Sequence, residues 1–292
     1  MLSARRSLRN GGSGGPEGPP VWDFLLLTNR KGAVAAAFGQ AVTSYDQAAD
    51  LQREVAHRLA QRITRLPLPS RPRVLELGCG TGFLAHALQA RGFDPALWVM
   101  TDLAPPMVNQ CRATWGPLAP YRFLVMDGEQ PSLAKPEGAG FDLICASLVF
   151  QWFEALEASL HRLVALLAPG GCLAFAVPAA RTFAEWRQAH AALGLSCGVP
   201  HYPTPEALNR LWPEGGHGTV EPECLIRRYP DGRAFLHDLK RIGAHVPAAG
   251  HRPLSAGALR QVLRQLEGPE GVAARYEVAY GLFITSGGRE AP

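Results

Sequence analysis

Between residues 73 and 177 the chain alternates short, largely apolar runs with segments of helical periodicity, and this alternation limits the possible folds more than any other feature. The apolar runs cover 73–77, 97–101, 121–126, 141–147 and 172–177. They are separated by a helical stretch at 82–91, a helix opened by Pro105 and Pro106, and a helical face of Leu156, Leu160, Leu163, Val164 and Leu167 that ends at a Pro169-Gly170-Gly171 turn. Strands without a polar face must be covered on both sides, so the pattern predicts an α/β fold with a mostly parallel sheet and helices on both faces.

The flanks are read less sharply. Residues 1–20 contain eight Gly or Pro and cannot bury a face, so they are read as a disordered leader; they lack the apolar helical face of a transit peptide. A single domain is expected over 21–292, with its ligand-binding core at 70–177. Leu51, Val55, Leu59 and Ile63 recur every four residues and predict an amphipathic helix over 45–63. Beyond 177 the alternation lapses into short helical segments near 181–193 and 205–212, then a strand-like run at 220–228. The interruption at 178–220 is read as an inserted lid or substrate subdomain. Helices at 231–242 and 255–266 follow, and an apolar strand at 276–285 is expected antiparallel at the sheet edge.

Composition removes several function classes. The longest apolar stretches fall short of the ~18 residues a membrane helix needs, so no membrane association is expected. The six cysteines are spread without a CxxC pair and the nine histidines without HExxH or HxH spacing; this predicts no metal, and reduced thiols in a cytoplasmic protein. Lysine is rare beside arginine, which does not suggest a nucleic-acid partner. Net charge is +4, yet the basic excess is concentrated at 225–265, which suggests one acidic partner.

Ligands of open parallel sheets bind beyond the carboxyl ends of the strands. After the first strand the chain reads Glu76-Leu77-Gly78-Cys79-Gly80-Thr81-Gly82, a loop whose alternate glycines allow a tight turn and close backbone approach. The dinucleotide fingerprint GxGxxG would need glycine where Phe83 stands, which weakens a NAD reading. The next strands each end in an acid, Asp102 and then Asp127-Gly128-Glu129. Asp102, 20 residues beyond Gly82, is placed to accept both hydroxyls of a ribose.

ELGCGTG, TDLAPPM, MDGE, FDLICASLVFQW and LAPGGCLAF are similar in type, order and spacing to the Rossmann-like class I S-adenosylmethionine-dependent methyltransferases. The resemblance implies a seven-stranded, mostly parallel sheet with an antiparallel last strand. It also implies S-adenosylmethionine as cofactor, with S-adenosylhomocysteine as its product. By this likeness Glu76 and the loop of Gly78, Cys79, Gly80 and Gly82 hold the methionine end. Asp102 with Leu103 meets the ribose, Met107 packs on the adenine, Asp127 and Gly128 meet the adenine edge, and Ser147 completes the pocket. The Glu76 charge suits a cationic ligand and would repel a pyrophosphate.

The segments KGAVAAAFGQAVTSYDQAADLQREVAHRL, SLVFQW, FLHDLKRIGAHVPAAGHRPLSAGALRQVL and YEVAYGLFI resemble the malonyl-acyl-carrier-protein O-methyltransferases of biotin synthesis, from about residue 31 to 285. The resemblance implies methylation of the free carboxylate of a malonyl thioester, carried on acyl carrier protein or coenzyme A. A carboxyl of pKa about 4 is already ionised at neutral pH, so no general base is expected and catalysis reduces to alignment and partial desolvation. The expected positioning groups are Tyr45 beside the transferred methyl and Lys240 or Arg241 as a loose cation for the carboxylate, with Gln151 and Trp152 as acceptor contacts. Arg227, Arg228, Arg233, Arg252 and Arg260 are the expected docking surface for the acidic carrier, and the protein is expected to be a monomer. Two other readings keep the core: a small-molecule methyltransferase of quinone or secondary metabolism, and a methyltransferase-like assembly factor of respiratory complex I with protein arginine hydroxylase activity.

Overall fold

The computed structural model describes residues 29–116, 119–133, 140–248 and 250–287. The expected leader at 1–20 and the first residues of the expected domain lie outside the described residues. The strands are β1 (Arg73–Leu77), β2 (Leu97–Asp102), β3 (Tyr121–Val125), β4 (Phe141–Ser147), β5 (Leu167–Pro178), β6 (Gly216–Tyr229) and β7 (Val272–Thr285), joined in one sheet in the order β3-β2-β1-β4-β5-β7-β6. β1 to β5 pair in parallel, whereas β7 runs antiparallel to both β5 and β6.

Two sequence expectations need correction here. β7 is not at the edge; it lies between β5 and β6. The physical reason is burial: β7 is apolar and mostly buried, while β6 alternates and carries Glu221, Glu223, Arg227 and Arg228, a composition an edge strand can leave in water. The Pro169-Gly170-Gly171 turn, in turn, lies inside β5. Pairing passes from Phe141–Leu167 to Leu143–Cys172, so 168–171 bulge out of a strand that begins earlier than expected.

The helices are α1 (Asn29–Ala48), α2 (Asp50–Ile63), α3 (Phe83–Gln89), α4 (Pro105–Trp115), α5 (Leu156–Ala165), α6 (Ala184–Ala191), α7 (Pro205–Asn209), α8 (Gly232–Arg241) and α9 (Ala256–Leu266). α2 presents Val55, Leu59 and Ile63, all fully buried, to one face of the sheet, with Leu84 and Leu88 of α3 beside them. Leu160 and Leu163 of α5 cover the opposite face with Leu208 of α7. Pro105 starts α4 where a missing N–H costs nothing, and Thr204, Asp231 and Ser255 cap α7, α8 and α9 with side-chain oxygens.

The single helix expected over 45–63 is two, broken at Ala49, which leaves the helical region at φ −91°, ψ 42°. The repeat that starts at Leu51 belongs to α2, while Tyr45 belongs to α1. α1 lies across the carboxyl ends of the strands, where Ala35, Tyr45, Ala48 and Ala49 pack with Ala104, Met107 of α4 and Ile242. Between β5 and β6 the insertion holds α6 and α7, and its last residues, from Gly216, already belong to β6. Its base is tied to β7: Arg181 donates through its backbone N–H and Nε to the buried Glu277 carboxylate (2.8 and 2.7 Å), and Phe183 N donates to Arg275 O (2.7 Å). Among the described residues no helix is long and apolar enough to cross a membrane.

Candidate active site

The loops that leave β1, β2, β3 and β4 meet beneath α1 and line a cavity that opens to solvent, with about 750 Å³ of empty space including its mouth. The glycine loop bends through positive φ at Gly78, Gly80 and Gly82. A Cβ at Gly78 would stand 2.3 Å from Val149 Cγ2, so only glycine lets the β1 and β4 loops approach this closely. Gly82 has another role: a Cβ there would meet Trp115 Nε1 at 2.6 Å, and the residue seats α3 on α4 without lining the cavity. Cys79 likewise contributes backbone only. Its N donates to Thr101 O (2.8 Å), while its buried thiol packs in the core with Cys111.

Asp102 lines the cavity and holds the loop in shape, accepting from Gly80 N (3.0 Å) through one oxygen and from Ala104 N (2.8 Å) through the other. Burial raises its pKa, opposed by those backbone donors. A carboxylate has about four acceptor sites, so both oxygens can still accept from a ligand. Leu103, Met107, Asp127, Gly128 and Ser147 also line the cavity.

Glu76 does not reach it. The side chain is 2% exposed beneath the loop and accepts from Trp98 Nε1 (3.0 Å), because β1 turns it to the same side as Val74 and into the core under α2 and α3. Burial pushes its pKa up to about 8, Asp102 adds to the rise, and the Trp98 hydrogen bond opposes it. A raised acid pKa means the folded state holds a proton that the unfolded state has lost. Stability should therefore decline as pH rises from about 4.5 to about 8. Glu76→Gln keeps an acceptor for Trp98 and should flatten that decline in ligand-free protein; an unchanged melting profile between pH 5 and 8 would refute the assignment.

The most informative residue missed by the sequence reading is Lys31 of α1. It is 6% exposed and lines the cavity, with Nζ 2.6 Å from both Asp127 Oδ2 and Glu129 Oε2. Glu129 also accepts from the backbone N–H groups of Glu154 and Ala155. Burial works against its ionisation, yet Lys31 and those amides hold its carboxyl below the usual range. Nothing local marks Lys31, since its partners lie about a hundred residues away.

A second cavity, about 660 Å³, adjoins the first through shared walls at Phe38, Tyr45, Leu148 and Trp152. Tyr45 thus stands at the junction, its ring stacked on Phe83 at 5.8 Å; burial, reinforced by Asp102 and Asp46, drives its phenol pKa far upward and keeps it protonated. Gln151 and Trp152 line this second cavity, as do Gln52 and Tyr202, which the sequence reading missed. A third cavity of about 700 Å³ continues past Trp152, Phe183, Tyr202 and Leu239 toward α8 and the 245–251 segment.

Lys240 and Arg241 line none of the three. α8 turns Leu239, and the following Ile242, toward the second cavity, which leaves Lys240 exposed and Arg241 half-buried with its carbonyl accepting from Ser44 Oγ (3.1 Å). Lys240 is near His245 of the third cavity, whose pKa is lowered by burial and then by the lysine charge. Of the five expected docking arginines, Arg227 is engaged by Glu54 across α2 and Arg228 by Glu270 (3.1 Å). Arg233, Arg252 and Arg260 are exposed and make no ion pair among the described residues. Also among the described residues, no group of three or more His, Cys, Asp or Glu is arranged to hold a metal.

Residues 51–220 match the family model described as a methyltransferase domain. The chain is 40% identical over 260 residues to the malonyl-[acyl-carrier protein] O-methyltransferase of Magnetococcus marinus, covering 88% of this chain and 94% of the relative. It is 46% identical over 250 residues to the biotin biosynthesis bifunctional protein BioCD of Bordetella avium, covering 85% of this chain and about half (51%) of that longer protein. Among solved structures, the YcgJ protein of Bacillus subtilis superposes with a TM-score of 0.57 at 15% identity, covering 80% of this chain and 99% of that one, a likeness of fold alone. With a methyltransferase domain over more than half its length and a relative this similar end to end, the chain belongs to the malonyl-[acyl-carrier protein] O-methyltransferase family.

Proposed function

We propose that the protein methylates the free carboxylate of a malonyl thioester, using S-adenosylmethionine, at an early step of biotin synthesis. The observation that carries this reading is the pair of adjoining cavities: one is walled by acids, Lys31 and apolar side chains, and the other, lined by no charged group among the described residues, leads outward. The first suits the cofactor. Asp102 and Asp127 supply acceptors for hydroxyl and amino groups, Met107 and Leu103 an apolar wall, and Glu76 beneath the loop a carboxyl whose ionisation a nearby cationic ligand would favour. When bound, S-adenosylmethionine supplies an electrophilic methyl group.

The chain's own part is placement. Tyr45, Phe38 and Trp152, common to both cavities, set where an acceptor oxygen meets the cofactor site and keep water out of it. A carboxylate acceptor has no proton to lose, which agrees with the protonated state of Tyr45 and with an acceptor cavity lined, among the described residues, by no histidine or acid. The third cavity is open enough for a pantetheine arm between α8 and the 197–202 segment, and Arg233, Arg252 and Arg260, with Lys240 beside its His245 wall, offer positive charge to an acidic carrier.

The test is methyl transfer from labelled S-adenosylmethionine to malonyl-carrier protein, malonyl-coenzyme A and acetyl-carrier protein, with mass spectrometry of the products. One methyl gained by the malonyl substrates alone, and lost on mild ester hydrolysis, is expected. Turnover of the carrier-bound substrate should also fall as salt rises toward physiological strength. No transfer to either malonyl substrate, with cofactor binding intact, would refute the proposed acceptor.

A further inference from the structure

Among the described residues, no charged side chain lines the acceptor cavity. Its polar lining consists of Tyr45, Gln52, Gln151, Trp152, Thr182, Tyr202 and Tyr276. Most of these groups are already committed or stand at one end. Gln151 Nε2 donates to Leu148 O (2.7 Å), which fixes its amide with the oxygen as the spare atom and makes it a poor host for an anion. Thr182 Oγ1 donates to Glu277 O (2.9 Å), and the Tyr276 hydroxyl is paired with Tyr229 (3.3 Å). Tyr45 borders the cofactor cavity and Tyr202 the outer one.

Gln52, from the third residue of α2, lines this cavity and neither of the others. Its amide makes no hydrogen bond to the described residues, so unlike the amide of Gln151 it is free to turn about its terminal torsion; Oε1 is the buried, unpaired atom, and a half-turn puts the Nε2 donors in its place for an anion. Trp152 Nε1, a buried donor, is equally without a partner. Unpaired polar groups at the wall of an otherwise apolar cavity are costly unless a ligand completes them.

We propose that the acyl carboxylate is received here by uncharged donors, with the Gln52 amide N–H as the principal contact, and that this neutral grip sets the specificity for a carboxylate-bearing acceptor. The proposal rests on the malonyl thioester reading above and replaces the cation that the sequence led us to expect in Lys240 or Arg241. A lysine or arginine held against the carboxylate would draw charge away from the attacking oxygen; an amide fixes its position with less effect on its nucleophilicity. An acceptor without the carboxylate, such as an acetyl thioester, leaves the amide unpaired and is disfavoured for that reason.

The experiment uses the full chain with Gln52→Leu and Gln52→Glu. It measures malonyl-coenzyme A and S-adenosylmethionine affinities by calorimetry, alongside KM and kcat. Gln52→Leu should weaken malonyl-coenzyme A binding and raise its KM about tenfold, with cofactor affinity unchanged. Gln52→Glu should be weaker still at neutral pH, where two carboxylates face each other, and regain affinity on acidification as the new carboxyl gains a proton and becomes a donor. That recovery is a signature that altered packing would not produce. Malonyl-coenzyme A affinity within twofold of wild type in Gln52→Leu, or Gln52→Glu binding it no more weakly at pH 8 than Gln52→Leu does, overturns the proposal. Equal loss of cofactor affinity in both variants would assign Gln52 to the packing of α2 and overturn it as well. If wild type itself neither binds nor methylates malonyl-coenzyme A or malonyl-carrier protein, the acceptor reading fails first and the Gln52 proposal with it.

Discussion

Lys31→Met should lower the unfolding free energy by about 3–5 kcal/mol and loosen α1 from the first cavity. The lysine is 6% exposed and neutralises two acids at once, one of them the 2% exposed Glu129. Methionine fills much of the space but leaves Asp127 and Glu129 facing each other without a counter-charge, and the penalty is chiefly that of abandoned charges. Denaturant unfolding gives the stability change, and protease susceptibility within 29–48 reports the release of α1. The triad also sets an acid limit. Glu129 is held below its ordinary pKa, so its contribution is present above about pH 4.5 and is lost as pH falls through the lower folded value. A loss below 1 kcal/mol in Lys31→Met, with cofactor affinity retained, would show that α1 is held by its apolar contacts alone.

Asp102→Ala should reduce cofactor affinity by more than a hundredfold. The carboxylate accepts from Gly80 and Ala104 N–H groups, and each hydrogen bond to a charged group contributes about 1.5–3 kcal/mol. Part of that loss destabilises the fold, and part reaches the ligand as a loop no longer held in its binding shape. Asp102→Asn is the sharper probe. Its amide oxygen can serve Ala104, but its NH2 would then face the Gly80 N–H, two donors in opposition, so it should bind nearly as poorly as the alanine variant. Calorimetric titration with S-adenosylmethionine and S-adenosylhomocysteine measures both; near-normal affinity in Asp102→Asn would mean that the loop keeps its shape without the charge.

Most of the rim of the first cavity can be read in the chain. Gly78, Gly80, Asp102, Leu103, Met107, Asp127, Gly128 and Ser147 fall on or just after strand ends and do line the cavity, because a parallel sheet brings the carboxyl ends of its strands to one rim. Sequence reading and structure part where a residue's neighbourhood in the motif differs from the direction of its side chain. Glu76 and Cys79 belong to the glycine-loop motif, yet both side chains turn into the core. Lys240 and Arg241 sit next to Leu239 and Ile242, and the helical turn that sends those two toward the second cavity sends the cations elsewhere.

Local periodicity therefore determined the parallel core, the glycine loop and the acids after the strands, since each depends on a few adjacent residues and on the rule that both sheet faces be covered. The tertiary structure alone decided that β7 lies inside the sheet, that α1 crosses the strand ends so Lys31 reaches Asp127 and Glu129, and that α2 brings Gln52 to the same cavity as Trp152 and Tyr202. Those meetings join residues from about fifty to more than a hundred positions apart. Such contacts depend on how packed elements cross, which no local pattern of apolar and polar residues records.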